Sequence, residues 1–172
     1  FKTGSMPSSL RLAVCDIGGA TIDLSLCEIT EKSIKCLYTV SSAEMEHCIG
    51  GMAFDEFCIN DWTHLAEISS NQFVSEMLKF ETIRKDADFS IINEVETDEA
   101  FHNNDALVFD GCEIQLGSAR MAYQEIKPRI VSLMQKFCEH CSGPQLKPDL
   151  VLITGGFALF PPMRKIIETN LK

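Results

Sequence analysis

The feature that most limits the fold is a series of three strand-like runs joined by very short connections over residues 10–41. Leu10 to Cys15 is an apolar run, followed by the turn Asp16-Ile17-Gly18-Gly19. From Thr21 to Ile29, Ile22, Leu24 and Leu26 alternate with Thr21, Asp23 and Ser25. A period of two sends successive side chains to opposite faces, which marks a strand with one buried face. Ser33 to Ser41 supplies the third run, Ile34-Lys35-Cys36-Leu37-Tyr38-Thr39-Val40. Parallel neighbours need a crossover of about a dozen residues, so connections this short imply an antiparallel meander.

Helical spacing takes over at Gly50-Gly51, where Phe54, Phe57, Asp61 and Leu65 fall on one stripe. A second helix is expected from about Gln72 to Asp86, with Phe73, Met77, Phe80 and Ile83/Arg84 on its face. Phe89 to Val95 reads as a strand and Glu96 to Asp105 as an acidic, Asn-rich loop. Leu107 to Ile114 reads as a hairpin, because Asp110-Gly111 between apolar runs supplies the positive φ angles of a type I′ turn. Ser118 is placed to cap a helix running to about Cys141, and Pro128 should break or kink it by removing a backbone donor. Asp149 to Thr154 is expected as a buried strand, Gly155-Gly156 as a tight turn, and Pro161 to Leu171 as a last helix. The class is therefore α/β or α+β, with no internal repeat.

Composition narrows the function. The 172 residues carry 15 basic and 25 acidic side chains, a net charge of −10. Strong binding to nucleic acid or to an anionic membrane needs a basic field, so neither is expected as a partner. No apolar run reaches the roughly 18 residues of a membrane span. Residues 1–9 read as a tag or linker, with Gly4-Ser5-Met6 resembling a cloning remnant and no signal-peptide h-region following. Most of the eight cysteines sit inside apolar patterns, where free Cys packs as a small hydrophobe, which favours a reducing, cytoplasmic setting. Cys138-Glu139-His140-Cys141 lacks a second pair for a zinc site and ends a helix rather than starting one.

The chemistry-bearing residues gather in glycine turns. Asp16-x-Gly18-Gly19-x-Thr21-x-Asp23 puts two glycines between strands, where backbone N–H groups can approach a phosphate closely. Asp16 and Asp23 would repel phosphate directly but suit water held around Mg²⁺. Thr21 could bond a phosphate oxygen or an attacking water. The plain alternative is a type I′ or II′ hairpin with solvated carboxylates. Gly155-Gly156 follows a strand and precedes a helix, the place where ligands sit at strand C-terminal ends. Glu81-x-x-Arg84-Lys85 puts a carboxylate and two cations within one helical turn, for which the plain alternative is a solvated, salt-bridged face.

Taken in order, these segments resemble the second half of the nucleotide-binding domain of the 70-kDa heat-shock proteins, in the actin/sugar-kinase ATPase superfamily. Asp16-Ile17-Gly18-Gly19-Ala20-Thr21-Ile22-Asp23-Leu24-Ser25 is similar to that family's second phosphate motif, Asp-Leu-Gly-Gly-Gly-Thr-Phe-Asp-Val-Ser. Ile49-Gly50-Gly51-Met52-Ala53-Phe54-Asp55 is similar to the following Leu-Gly-Gly-x-x-Phe-Asp. Glu81-x-x-Arg84-Lys85-x-x-Asp88 matches Glu-x-x-Lys-Arg-x-x-Ser in spacing, and Ile153-Thr154-Gly155-Gly156-Phe157-Ala158 resembles the adenosine motif. Phe80-Glu81, Gly155-Gly156-Phe157-Ala158 and Lys127-Pro128 resemble the divergent "type 12" heat-shock-like subgroup.

The resemblance implies an actin-like, ribonuclease H-like lobe. Its larger subdomain would comprise 10–65 and 128–172, with a smaller α+β subdomain, 66–127, inserted. It implies ATP or ADP with Mg²⁺ as cofactors, a first lobe of the same ATPase domain as partner, and client or co-chaperone proteins in a stress response. Gly18, Gly19, Ala20 and Thr21 would face the phosphates and Asp16 the hydrated magnesium, with Asp16 and Thr21 as the catalytic pair. Gly51, Glu81 and Arg84 would lie near the ribose, Lys85 over adenine, and Gly155 and Gly156 by the α-phosphate. Ala20, Asp88, Phe157 and Leu159 depart from the family pattern and bear on affinity and base preference. Two other readings share the fold: a degenerate, non-hydrolysing interaction scaffold, and half of a sugar or acetate kinase.

Overall fold

The computed structural model describes residues 8–44, 49–62, 70–86, 106–109 and 112–171. The expected strand Phe89–Val95, the loop Glu96–Asp105, Asp88, Leu65, the Asp110-Gly111 turn and the Gly4-Ser5-Met6 segment lie outside the described residues.

The alternating runs become β1 (Leu10–Ile17), β2 (Ile22–Ile29) and β3 (Ile34–Ser41), an antiparallel meander as expected. Ala13, Cys15 and Ile17 lie opposite Leu26, Leu24 and Ile22, and all six are buried, so one sheet face forms the core. Burial pushes the Cys15 thiol up to about 12, in keeping with a cysteine that packs as a hydrophobe. Leu26 pairs with Tyr38 and Cys27 with Cys36, leaving Leu37 as an extra residue in β3, a β-bulge.

After a 3₁₀ turn at Ser42–Glu44 come α1 (Gly51–Trp62) and α2 (Ser70–Asp86). A separate antiparallel pair, β4 (Ala106–Phe109) and β5 (Cys112–Gln115), forms the expected hairpin. It leads directly into α3 (Leu116–Cys141). β6 (Leu150–Thr154), a 3₁₀ turn (Gly156–Leu159) and α4 (Pro161–Asn170) complete the chain. The main sheet has the order β3-β2-β1-β6, with β6 parallel to β1, giving an α/β architecture with a mixed four-stranded sheet.

α3 packs across β2 and β3 and against α1. Ala122, Ile126, Ile130, Leu133 and Phe137 are all buried, and their three- and four-residue spacing forms one continuous stripe. Fully burying each such Leu, Ile or Phe contributes about 1.5–3 kcal/mol.

Three expectations are corrected. Pro128 does not break the helix, since α3 runs through it from Leu116 to Cys141. Pro128 is exposed, and the buried stripe on both sides of it packs the helix against the core. Ser118 is not the cap: α3 starts two residues earlier, and Ser118 is buried in its first turn. β6 is not a buried strand, because Leu150, Val151, Leu152 and Ile153 are 36–54% exposed. Its apolar run suggests a core position, but its place at the end of the sheet order leaves one side unpaired among the described residues.

The exposed ring of Pro128 yields a direct expectation. Pro128→Ala restores a backbone donor within α3 and should stabilise the protein by about 1–3 kcal/mol. Urea unfolding monitored by circular dichroism measures this, and an unchanged or lower midpoint contradicts it.

Candidate functional site

Because β6 runs parallel to β1, the C-terminal ends of both strands fall at the same edge of the sheet, with Asp16 opposite Thr154. β2 starts and β3 ends there too, since Ile17 pairs with Ile22 and Asp23 with Ser41. The Gly18-Gly19 turn and the Gly155 turn therefore meet at one end of the sheet.

Gly51 N donates to Gly18 O at 3.1 Å and Met52 N donates to Gly19 O at 2.7 Å, so the start of α1 is laid onto the first turn. Gly50 makes this approach possible: a Cβ there would overlap the Gly19 backbone. Gly155 is the described glycine with a left-handed backbone, φ 95°. A Cβ on Gly155 would overlap Ile17 O and stand 2.8 Å from Asp16 Oδ1, so the last turn is seated against the end of β1. Gly18 and Gly19 are not left-handed, which removes the type I′ or II′ hairpin as an account of that turn. Gly18 N donates to Thr21 O at 2.9 Å and closes it. Ala20 is exposed at its tip.

Asp16 and Asp23 face each other across β1 and β2, a like-charge pairing that is unfavourable unless one carboxylate is relieved. Asp23 is relieved. It accepts from Thr21 Oγ1 at 2.8 Å and from Ser41 Oγ. Asp16 is exposed, and its carboxylate has no hydrogen bond or ion pair among the described residues. The two carboxylates thus differ in availability. Thr21 spends its one proton on Asp23, so its hydroxyl faces an incoming molecule as an acceptor.

Arg84 does not lie on a solvated face. Its Nε donates to Asp55 Oδ1 at 2.5 Å and its Nη2 to Asp55 Oδ2 at 3.1 Å, with both side chains only 2% exposed. The guanidinium carbon stands 4.9 Å over the Phe157 ring, and Nη1 is buried without a hydrogen-bond partner among the described residues. Phe157 is itself buried, stacked 5.4 Å from Phe160 and near Phe54. A Cβ on Gly51 would stand 2.9 Å from Arg84 Nη2 and 3.2 Å from the Phe157 ring. The structure thus brings Gly51, Arg84 and Phe157 together, just behind the turns that carry Asp16, Gly18 and Gly155.

Glu81 is half-buried on α2 one turn before Arg84, and Lys85 follows Arg84 in the same helix. Gly156 is exposed at the start of the last 3₁₀ turn, and Leu159 is 66% exposed at its end. Sequence reasoning assigned no role to Asp55 or Ser41. The signal for Asp55 was an acid on the apolar face shared by Phe54 and Cys58, which calls for a buried cation.

The residues fit a hydrated divalent cation to the extent that one open carboxylate, Asp16, stands beside a glycine turn, and Mg²⁺ keeps most of its water shell. Among the described residues no group of three or more His, Cys, Asp or Glu is arranged to hold a metal directly. No described helix is long and apolar enough to cross a membrane.

No family model matches the chain. It is 22% identical over 179 residues to heat shock cognate 70 kDa protein 3 of Dictyostelium discoideum, covering 97% of this chain and 26% of that protein. It is 24% identical over 167 residues to the mitochondrial heat shock 70 kDa protein of Solanum tuberosum, covering 91% of this chain and 24% of that protein. The chain spans about a quarter of the length of these curated relatives. The similarity is distant and supports a relation to the 70-kDa heat-shock superfamily at a coarse level.

The buried ion pair can be tested by stability. Asp55→Ala leaves the Arg84 charge uncompensated and should cost about 3–5 kcal/mol, whereas replacing both partners together with apolar residues of similar volume should cost far less. Chemical denaturation of the single and double variants measures the difference. Equal losses in the two would show that the pair does not act as a unit.

Proposed function

We propose that the chain is the second lobe of a heat-shock-like, actin-type ATPase domain that binds ATP or ADP with magnesium. In this reading nucleotide state drives a chaperone-type conformational cycle in a longer, cytoplasmic protein, against a first lobe that supplies the opposite wall. The observation that carries the proposal is the convergence of Asp16, the Gly18-Gly19 turn, Gly51 and Gly155 at one end of the parallel β1–β6 pair. Strand C-terminal ends of this kind form crevices where phosphorylated ligands bind. The distant similarity to 70-kDa heat-shock proteins supports it.

The finer assignments follow the motif resemblance. The Gly18–Thr21 turn would approach the β- and γ-phosphates, and Gly155 and Gly156 the α-phosphate. Bound magnesium would supply charge neutralisation of the phosphates and ordered water. Asp16 would hold that water shell, and Thr21, already donating to Asp23, would accept a hydrogen bond from the attacking water. Lys85 would cover adenine, with Glu81 near the ribose hydroxyls and Asp88 at the base edge. The smaller subdomain, 66–127, would be inserted in the larger one, and the divergent "type 12" branch is the subgroup this reading favours.

A second reading, an interaction scaffold that no longer cycles nucleotide, is favoured by Arg84. Its ion pair with Asp55 and the overlying Phe157 turn a cation expected at the ribose into the interior.

Calorimetric titration of ATP and ADP with Mg²⁺ separates the two readings. Saturable binding, weakened at least tenfold in Lys85→Ala, is expected, and absence of binding at millimolar nucleotide would turn the assignment to the scaffold. Phosphoryl transfer needs stabilisation from several sides at once, and one lobe supplies one side. These 172 residues alone should therefore show no hydrolysis above a Thr21→Ala control, and steady phosphate release lost in that variant contradicts this.

A further inference from the structure

We propose that Cys27 and Cys36 are a thiol–disulfide switch site that closes into a cross-strand disulfide by exchange with a small disulfide such as oxidised glutathione. The proposal stands on the β2–β3 hairpin and is independent of nucleotide binding.

Cys27 and Cys36 are direct partners in the antiparallel register of β2 and β3, and both are free thiols. Residues directly opposite each other in an antiparallel pair have Cα atoms about 4.5–5.5 Å apart, within the range of about 4.4–6.8 Å that a disulfide spans. The pair sits at the Leu37 bulge, where the ladder is interrupted and the local twist is larger. Burial, then the facing Cys36 thiol through its charge and a hydrogen bond, pushes the Cys27 thiol up. The Cys36 thiol itself donates to Tyr38 O at 3.5 Å, a weak contact that forming the thiolate gives up.

Among the described cysteines, accessibility sets Cys36 apart. Cys36 is exposed and Cys27 half-exposed, whereas Cys15, Cys58 and Cys141 are buried. Cys138 is half-exposed like Cys27, and its thiol donates to Asn170 O at 3.2 Å. Burial pushes Cys138 and Cys141 up as it does Cys27, so the direct cross-strand register, not acidity, distinguishes the Cys27–Cys36 pair.

The exchange balances in two steps. The Cys36 thiolate attacks one sulfur of oxidised glutathione, forming a mixed disulfide and releasing one glutathione thiolate. The Cys27 thiolate then attacks Cys36 Sγ, closing the Cys27–Cys36 bond and releasing the second. The protein loses two protons and two electrons, and one glutathione disulfide becomes two glutathione thiols. Exposure makes Cys36 the attacking residue and leaves Cys27 to close the bond.

The test treats the full chain with oxidised glutathione, caps the remaining thiols, and maps the disulfides by mass spectrometry after trypsin. Lys32 and Lys35 lie between the two cysteines, so cleavage leaves their peptides joined only through the new bond. The wild type should show this linked pair and a Tm raised by about 5 °C, both reversed by a thiol reductant. Cys27→Ser should retain glutathione on Cys36, and Cys36→Ser should show neither the linkage nor the adduct. Persistence of the linked peptides in Cys36→Ser would assign the bond to other cysteines of those peptides and overturn the proposal. So would a wild type that stays reduced, or one that keeps glutathione on Cys36 as fully as Cys27→Ser does.

Discussion

The arrangement of the molecule depends on one buried charge pair. Asp55 on α1 and Arg84 on α2 meet through two hydrogen bonds in an interior nearly closed to water. Neither helix can slide without stranding a charge, so the pair fixes their register more strictly than apolar packing, which tolerates substitution and repacking. α1 is tied in turn to the first glycine turn by the Gly51 and Met52 amides, and Phe157 from the last turn lies under the guanidinium. Three segments far apart in the chain are thus referred to a single cation.

The same end of the sheet divides its two carboxylates into unlike roles. Asp16 and Asp23 are direct cross-strand neighbours, and two free anions there would repel. Hydroxyls from Thr21 and Ser41 take up one of them and leave the other open. Such an asymmetry suits a site that must present one negative group to a hydrated cation while keeping the turn itself well ordered. It also gives β3 a share in the site through Ser41, although β3 carries none of the glycine motifs.

Much of this was legible in the residues. Two-residue alternation identified the meander, and three- and four-residue spacing identified α1, α2 and α3, because burial of one face dictates those periods. The glycine turns were also legible as turns. That they share one site was implied by the family resemblance and not by local pattern, since it depends on β6 adding parallel to β1, a pairing between residues more than a hundred positions apart. Arg84 was expected near the ribose, with a solvated face as the plain alternative, and its burial was not legible because its partner Asp55 lies on another helix. Pro128 read as a break or kink because local propensity says nothing of the buried stripe that carries a 26-residue helix through it. The apolar run of β6 read as core because hydrophobicity alone does not distinguish a central strand from the last one. The bulge that sets Cys27 opposite Cys36 leaves no mark in the pattern, since it is one unpaired residue, Leu37, in an otherwise regular strand.

That outermost position of β6 carries a consequence for handling the protein. Among the described residues, its backbone presents a row of unpaired amide and carbonyl groups on one side, with Leu150, Leu152 and Ile153 exposed alongside them. Lys147 and Asp149 place charge only at the entry to the strand. An open, apolar margin with so little electrostatic guarding is a template for adding further strands from other molecules. Concentrated preparations of the isolated chain will therefore tend toward sheet-mediated self-association, and a lysine introduced midway along that margin is the substitution that physical reasoning recommends for keeping it dispersed.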